Sequence, residues 1–249
     1  MGYGIDKFIE YFQDYEEQYA VIGGQACELL MNDANLDFRR TQDVDMVLIV
    51  EAFTEEFGKA LWDFIKEGKY KARQKSNGKS EFYRFVDPGN PGFPAMIELF
   101  ARPSSNLKLS FSGHLTRLEL GEEVSSLSAI LLNDSYYKFI LSGRKRSGNV
   151  SVIDAEHIIP LKMKAWLDLT ERKCSGEHVN SRDIKKHRQD VFRLYPLIPA
   201  GKKIEVPDEV LEDIKSFIDA MRGNLIDLKP IGINRSMESI LEIYESLYF

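Results

Sequence analysis

The sequence predicts an α+β protein in which a mixed sheet flanked by helices is followed by a helical C-terminal domain. Within residues 1–130, short apolar runs of strand length alternate with amphipathic helical patterns. From residue 131 onward, helical patterns dominate and strand signals are few. The chain has 249 residues, of which 43% are hydrophobic, so it is long enough to bury two cores. We therefore predict two domains, over residues 1–130 and 131–249.

Hydrophobic spacing places the elements of the first domain. Apolar side chains recur at helical spacing in residues 5–17, and short apolar runs predict strands. Ser76-Asn77-Gly78-Lys79 is a hairpin turn signal between two of these strands. Residues 103–132 are rich in Ser and are predicted as edge strands and loops. The predicted strands are 19–22, 43–50, 70–73, 81–86 and 95–101, and the predicted helices are 5–17, 24–31 and 53–66.

The second domain is predicted to consist of helices joined by short connections. One helix covers residues 157–170, with Pro160 in its first turn, where proline is tolerated. Another helix follows a cap at Asn180-Ser181. The basic run from Ser142 to Gly148 is predicted as an exposed turn. Further helices are predicted at residues 134–141, 207–221 and 235–247.

Composition excludes several classes of protein. No apolar run approaches the ~20 residues that span a bilayer, and the N-terminus lacks the pattern of a signal peptide. We therefore expect a cytoplasmic protein that makes no contact with a membrane. Cys27 and Cys174 form no CxxC pair, which argues against a disulfide framework or a thiolate zinc site. The net charge of −6 argues against sequence-blind nucleic-acid binding, but residues 158–203 are basic and are where an anion is expected.

The clearest chemical signal is a pair of acids on a predicted strand. Asp43 and Asp45 are two positions apart, so they face the same side of the strand, roughly 7 Å apart. Such a pair persists best where a divalent cation or an ionic ligand offsets the charge. Gly23-Gly24, at a strand-to-helix turn, fits either a tight turn or an anion held at a helix N-terminus. Glu98 fits either a solvent-facing strand position or a third ligand beside the two aspartates.

The helix after Asn180 carries two stripes of side chains. Ile184, His187, Val191 and Leu194 form an apolar stripe, which favours a core or interface role for His187 over that of a general base. Asp183, Lys186, Asp190 and Arg193 form a second stripe. This second stripe fits either surface ion pairs or a basic helix that supports phosphates.

These residues carry a resemblance to a known family. Gly23-Gly24, then Arg39-x-Thr41-x-Asp43-x-Asp45, then the isolated strand acid Glu98, resemble the signature of the DNA polymerase β-like nucleotidyltransferase superfamily. The run Leu161-Lys162-Met163-Lys164-Ala165-Trp166, then Arg172, then Arg182-Asp183-Ile184 with Lys186 and Asp190, is similar to the distal motifs of its AbiEii/AbiGii-type toxin branch. Gln25 stands where many members have Ser, and its amide can also donate a hydrogen bond to a phosphate.

The resemblance implies roles for ten residues. Asp43, Asp45 and Glu98 would be the catalytic acids and would ligate two Mg²⁺ ions, with Glu98 activating the acceptor hydroxyl. Gly23 and Gly24 would offer backbone N–H groups to the triphosphate of an NTP, and Thr41 would hold the loop before the acids. Arg39 and Lys162 would neutralise the triphosphate, while Asp183 and Lys186 would line the nucleotide cleft.

The implied function is a metal-dependent nucleotidyltransferase that transfers NMP from an NTP to an acceptor hydroxyl. In the toxin branch the acceptor is expected to be a tRNA 3′ end, and the partner is expected to be a cognate antitoxin. A small molecule of the aminoglycoside type is an alternative acceptor. A different class of function is also open: a catalytically inactive module of the same fold that binds nucleotide, RNA or protein.

Overall fold

A computed structural model describes residues 4–49, 51–74, 80–102 and 133–249, and residues 72–74 and 80–83 by their backbone alone. The described residues form two compact units. The first contains the described residues up to 102 together with 144–154, and the second contains 133–143 and 155–249. The predicted boundary at residue 130, the hairpin turn at 76–79 and the edge strands at 103–132 lie outside the described residues.

In the part of the chain that the structure describes, the first unit is built on a mixed sheet of seven strands in the order β3-β4-β5-β2-β1-β7-β6. Strand β2 lies in the middle, antiparallel to β1 and parallel to β5. The prediction of an α+β fold with a mixed sheet is confirmed. The strands are β1 (Tyr19–Ile22), β2 (Asp43–Leu48), β3 (Lys71–Gln74), β4 (Ser80–Val86), β5 (Met96–Phe100), β6 (Arg144–Ser147) and β7 (Val150–Ile153).

Three helices accompany this sheet among the described residues: α1 (Ile5–Phe12), α2 (Gly23–Asp33) and α3 (Glu55–Glu67). The helix predicted over residues 5–17 ends at Phe12 and continues as a 3₁₀ segment, Gln13–Gln18. Helix α3 begins after Thr54, whose hydroxyl accepts a hydrogen bond from the backbone N–H of Phe57. No described helix is long and apolar enough to cross a membrane.

An aromatic core holds α1 and α3 against one face of the sheet. Phe8, Phe12, Phe57 and Phe64 are fully buried, and Tyr19 of β1 stacks on Phe57 with ring centroids 6.1 Å apart. Burial of each such ring contributes roughly 1.5–3 kcal/mol. In the register of β1 and β2, Tyr19 pairs with Leu48 and Ile22 pairs with Asp45. Because side chains alternate between faces, Asp43 and Asp45 lie on the face opposite this aromatic core.

The hairpin of β6 and β7 extends the sheet beyond β1. The prediction of an exposed turn over Ser142–Gly148 is wrong, since Arg144–Ser147 form an edge strand. The physical reason lies far away in sequence, because Arg146 pairs with Glu16 at 2.6 Å and Arg144 pairs with Glu17. The basic strand is therefore held by the acids of the 3₁₀ segment Gln13–Gln18, while β7 pairs in parallel with β1.

The second unit is helical, which confirms the predicted class of the C-terminal part. Its helices contact one another through buried apolar side chains such as Trp166, Phe192 and Phe217. Asn180 caps one of these helices as predicted, accepting a hydrogen bond from the N–H of Arg182. The helices are α4 (Asp134–Ser142), α5 (Ala155–Cys174), α6 (Ser181–Arg193), α7 (Asp208–Arg222) and α8 (Met237–Tyr248).

Helix α5 begins earlier than predicted, so Pro160 lies inside it and not in its first turn. Proline has no N–H and leaves the carbonyl four residues before it without its helical donor. That carbonyl belongs to Glu156, and the Tyr248 hydroxyl donates a hydrogen bond to it at 2.8 Å. A side chain from α8 therefore replaces the bond that Pro160 removes.

Candidate functional site

The predicted acids lie in a row of charged side chains across three strands of the first unit. Asp45 on β2 is the register partner of Glu98 on β5, and Glu98 is the register partner of Arg84 on β4. Partners in register share a face, so these three side chains lie on the face that also carries Asp43. Asp43 and Asp45 are partly exposed, whereas Glu98 is 5% exposed. The fold therefore places all three predicted acids on one face.

Gly23 lies directly against the carboxylate of Asp45. A Cβ atom at position 23 would be 1.8 Å from Asp45 Oδ2, which no side chain tolerates. The φ angle of Gly23 is +69°, in the left-handed region that favours glycine. Both constraints require glycine here, and they bring the backbone at the start of α2 into contact with the second acid of the pair.

Gly24 lies against the other two predicted nucleotide-binding side chains of the first unit. A Cβ atom at position 24 would be 3.0 Å from Thr41 Oγ1 and 3.3 Å from Arg39 Nη2. The Arg39 guanidinium also lies over the ring of Phe38, 5.4 Å from its centroid, which orients it by a cation–π contact. Arg39, Thr41 and Asp45 therefore all lie close to Gly23 and Gly24, at the start of α2.

The loop that supplies Arg39 and Thr41 is tied to α2 by a residue that sequence reasoning missed. The backbone N–H of Thr41 donates a hydrogen bond to Glu28 Oε2 at 2.9 Å. Glu28 is 5% exposed, and a buried carboxylate acceptor makes a strong hydrogen bond. The available signal was an acid four positions after Gly24, on the same helical face, within an apolar run. Glu28 fixes the distance between the loop and the helix.

Among the residues that the structure describes, no side chain caps the backbone donors in the first turn of α2. Its N-cap residue is Ile22, which has no side-chain oxygen. Gln25, in this first turn, is fully buried, and neither its Oε1 nor its Nε2 has a hydrogen-bond partner among the described residues. An unsatisfied buried amide costs roughly 1–3 kcal/mol, and native structures retain such groups mainly where a ligand or water completes them. A helix N-terminus of this kind is suited to binding an anion.

Glu98 differs from the role predicted for it. Its Oε1 accepts a hydrogen bond from Arg84 Nε at 2.8 Å and a second from Arg84 Nη2. The two side chains are 7% and 14% exposed, respectively, so this ion pair is nearly buried. Within residues 4–49, 51–74, 80–102 and 133–249, no three His, Cys, Asp or Glu side chains are placed to hold a metal ion together. Asp43 and Asp45 supply the hard oxygen donors that Mg²⁺ prefers, whereas the Glu98 carboxylate is bound to arginine.

The remaining predicted residues belong to the second unit. Lys162 is 3% exposed, and its Nζ lies 3.3 Å from Oδ2 of the fully buried Asp190. Arg193 Nη1 lies 3.4 Å from the other oxygen of Asp190. Asp183 is exposed in the first turn of α6, and Lys186 is half-buried one turn later. Asp190, which belongs to the predicted polar stripe and to the distal motif of the resemblance, is therefore a partner that holds Lys162 inside this unit.

Comparison with protein-family models, with curated proteins and with solved structures gives no match to this chain. What the site can do therefore follows from its own chemistry. The Arg39 guanidinium and the Thr41 hydroxyl lie beside the glycine turn, at a helix start that no described side chain caps. Asp45, the second of the two acids on one face of β2, contacts the same turn. This arrangement is suited to a ligand that carries both negative charge and a divalent cation.

Proposed function

We propose that this protein is a metal-dependent nucleotidyltransferase that transfers NMP from an NTP to an acceptor hydroxyl. The observation that carries the proposal is the meeting of Arg39, Thr41 and Asp45 at the Gly23-Gly24 turn. A triphosphate with its Mg²⁺ ion needs backbone donors, positive side chains and carboxylates within a few ångströms of one another. The first turn of α2 and its neighbours supply all three.

The residues around the start of α2 each have a role in this proposal. The N–H groups of Gly23 and Gly24 bind phosphate oxygens, the Arg39 guanidinium neutralises their charge, and Thr41 holds the loop against Gly24. Asp43 and Asp45 hold Mg²⁺, which when bound stabilises the charge that develops on the transferred phosphoryl group. An oxygen of the ligand would give the buried amide of Gln25 the hydrogen-bond partner that it lacks among the described residues. The roles that the resemblance implies for Lys162, Asp183 and Lys186, which belong to the second unit, rest on the resemblance alone and stay predictions.

The resemblance also extends the proposal to an acceptor and a partner. We propose a tRNA 3′ end as the acceptor, a cognate antitoxin as the protein partner, and a cytoplasmic location, as expected for a toxin of a toxin–antitoxin pair. The exposed Arg182 and Lys185 on α6 supply positive charge for an RNA backbone. An aminoglycoside-type acceptor is the alternative within the same reaction class.

A label on the NTP tests the proposed reaction. The protein is incubated with Mg²⁺, total tRNA and each of the four NTPs, labelled either at the α-phosphate or at the γ-phosphate. Nucleotidyl transfer predicts that the α-label appears on RNA and that the γ-label leaves with pyrophosphate. Appearance of the γ-label on the acceptor would indicate a kinase, and would contradict the proposal. Aminoglycosides replace tRNA in a parallel reaction.

Replacing Glu28 tests how the loop supports nucleotide binding. Glu28→Leu removes the acceptor for the Thr41 N–H, so we expect nucleotide affinity to fall by about 10–100-fold, since a hydrogen bond to a charged group contributes roughly 1.5–3 kcal/mol. Glu28→Gln keeps a carbonyl acceptor and is expected to stay within about threefold. Isothermal titration with an α,β-methylene NTP analogue measures both. Equal losses in the two variants would show that the carboxylate acts by charge and not by holding Thr41.

The second candidate function is a module of the same fold that binds a nucleotide, RNA or a partner protein without catalysis. The ion pair between Arg84 and Glu98 favours it, because it removes one acid from the set that the resemblance makes catalytic. In the labelling experiment this candidate predicts that nucleotide binds and that no label reaches any acceptor. Titration and transfer measured on one preparation therefore separate the two functions.

A further inference from the structure

We propose that Gln25 recognises a ribose hydroxyl of the bound NTP, so that the site discriminates against nucleotides that lack this hydroxyl. This inference rests on the proposed function and deepens it, because it names a feature that the substrate must carry. The observation behind it is the side-chain amide of Gln25, which is fully buried in the first turn of α2. Neither its Oε1 nor its Nε2 has a hydrogen-bond partner among the described residues.

Gln25 lies on the side of α2 that meets the loop before β2. Gln25 and Glu28 are three positions apart in the helix, so they are neighbours on one face. Glu28 Oε2 accepts the backbone N–H of Thr41 at 2.9 Å, so this face contacts the loop. Every Cα–Cβ bond in a helix also tilts toward the N-terminus, where Gly24 offers its N–H to the proposed triphosphate. Gln25 is therefore next to the proposed phosphate site.

The fold makes no use of the Gln25 amide within the described residues. In a capping box, a Gln at the third helical position accepts a hydrogen bond from the backbone N–H of the N-cap residue. Here the N-cap residue is Ile22, which ends β1 in register with Asp45, and Gln25 Oε1 does not make that bond. A buried amide without partners is unfavourable, because it has lost its bonds to water. Rotation of the side chain toward the helix start brings the amide to a ligand that supplies them.

The two ends of the amide require a partner that can donate a hydrogen bond. Nε2 of Gln25 is a donor and Oε1 is an acceptor. The ionised oxygens of a triphosphate only accept, so they leave Oε1 without a donor. A hydroxyl group both donates and accepts. The ribose carries hydroxyl groups and is joined directly to the triphosphate, whereas the base lies beyond it. Because the Cα atoms of Gln25 and Gly24 are about 3.8 Å apart, the ribose is the nearer of the two.

Nucleotides that differ by one hydroxyl test this inference without relying on activity. Isothermal titration compares the α,β-methylene analogue of the NTP that wild type binds most tightly with its 2′-deoxy form, its 3′-deoxy form and inorganic tripolyphosphate. Wild type is expected to bind one of the two deoxy forms about 10–100-fold more weakly than the ribonucleotide, because loss of the hydroxyl leaves the amide unpaired. The form that loses affinity identifies which hydroxyl Gln25 contacts.

Gln25→Met keeps the length of the side chain and removes both polar ends. We expect this variant to bind the ribonucleotide analogue about 10–100-fold more weakly than wild type, and to bind all three nucleotides within about twofold of one another. Its affinity for tripolyphosphate is expected to stay within about threefold of the wild-type value. Its unfolding temperature is expected to equal or exceed that of wild type, because no hydrogen bond of the fold is lost.

The contrary results are equally specific. Wild-type affinities within about twofold for all three nucleotides would overturn the inference and leave the proposed function intact, as would discrimination that persists in Gln25→Met. Equal losses of ribonucleotide and tripolyphosphate binding in Gln25→Met would show that Gln25 binds phosphate instead. A variant that fails to fold, or that unfolds at a clearly lower temperature, would show that the amide serves the fold, and would also overturn it. Wild type that binds neither nucleotide nor tripolyphosphate would overturn both proposals.

Discussion

Replacing Asp45 with asparagine is expected to lower the rate of nucleotide transfer by about 10³-fold. The change removes one negative oxygen donor from the proposed cation site and leaves the shape of the side chain almost unchanged. Loss of a carboxylate that holds the metal costs the transition state several kcal/mol, and about 4 kcal/mol corresponds to a 10³-fold loss in rate. The rate is measured as transfer of α-label to tRNA at saturating NTP and Mg²⁺.

The matched control for this change is Asp37→Asn. Asp37 is an exposed acid on the same loop that carries Arg39 and Thr41, and it lies outside the proposed site. We expect this variant to keep the wild-type rate within about twofold, as is usual for exposed positions away from special contacts. Equal rates in wild type and Asp45→Asn would remove Asp45 from the chemistry and would contradict its proposed role in holding the cation.

Replacing Gly23 with alanine is expected to destabilise the first unit by about 2–5 kcal/mol. The left-handed backbone at φ +69° costs a residue with a Cβ roughly 1–2 kcal/mol. The new methyl group would also meet Asp45 Oδ2, and overpacking of this kind costs about 1–3 kcal/mol. Chemical denaturation followed by far-UV circular dichroism measures the loss.

Gly148→Ala separates the two causes. Gly148 lies in the turn between β6 and β7 with φ +56°, and no described atom beyond its two chain neighbours lies within 4 Å of the position that its Cβ would take. This variant therefore reports the backbone cost alone, about 1–2 kcal/mol. The difference between the two variants measures the contact between Gly23 and Asp45. Equal losses would show that this contact contributes nothing to stability.

Patterns local in sequence predicted the strands and helices that carry the site. Asp43 and Asp45 are two positions apart in an apolar run, and β2 does place them on one face. The Gly23-Gly24 turn follows β1 and opens α2, as the change from a strand pattern to a helical one indicated. These features depend on short-range periodicity, which the sequence displays directly.

Contacts that depend on strand register could not be predicted in the same way. Arg84 faces Glu98 because β4 and β5 pair in one particular register, and a shift of one residue would turn Arg84 to the other face. The contact of Gly23 with Asp45 likewise depends on the pairing of Ile22 with Asp45. A loop or a helix separates the strands in both cases, so the sequence does not set their alignment.

The edge strand β6 shows a further limit of sequence reasoning. Its basic residues lack the alternation of a strand, and they pair with Glu16 and Glu17 from the other end of the unit. Pro160 gives a similar lesson, since the Tyr248 hydroxyl that compensates for it comes from α8. In both cases, β6 and the helix around Pro160, the structure depends on partners that are distant in the chain. Local propensity alone predicted a turn for the first and a first-turn proline for the second.

The most direct measurement is a crystal structure of the protein with Mn²⁺ and an α,β-methylene NTP analogue, with Mn²⁺ located by anomalous scattering. Binding as proposed places the triphosphate on the N–H groups of Gly23 and Gly24, next to Arg39. It also places Mn²⁺ about 2 Å from oxygens of Asp43 and Asp45. A triphosphate bound away from the start of α2, with no anomalous peak at the two aspartates, would contradict it.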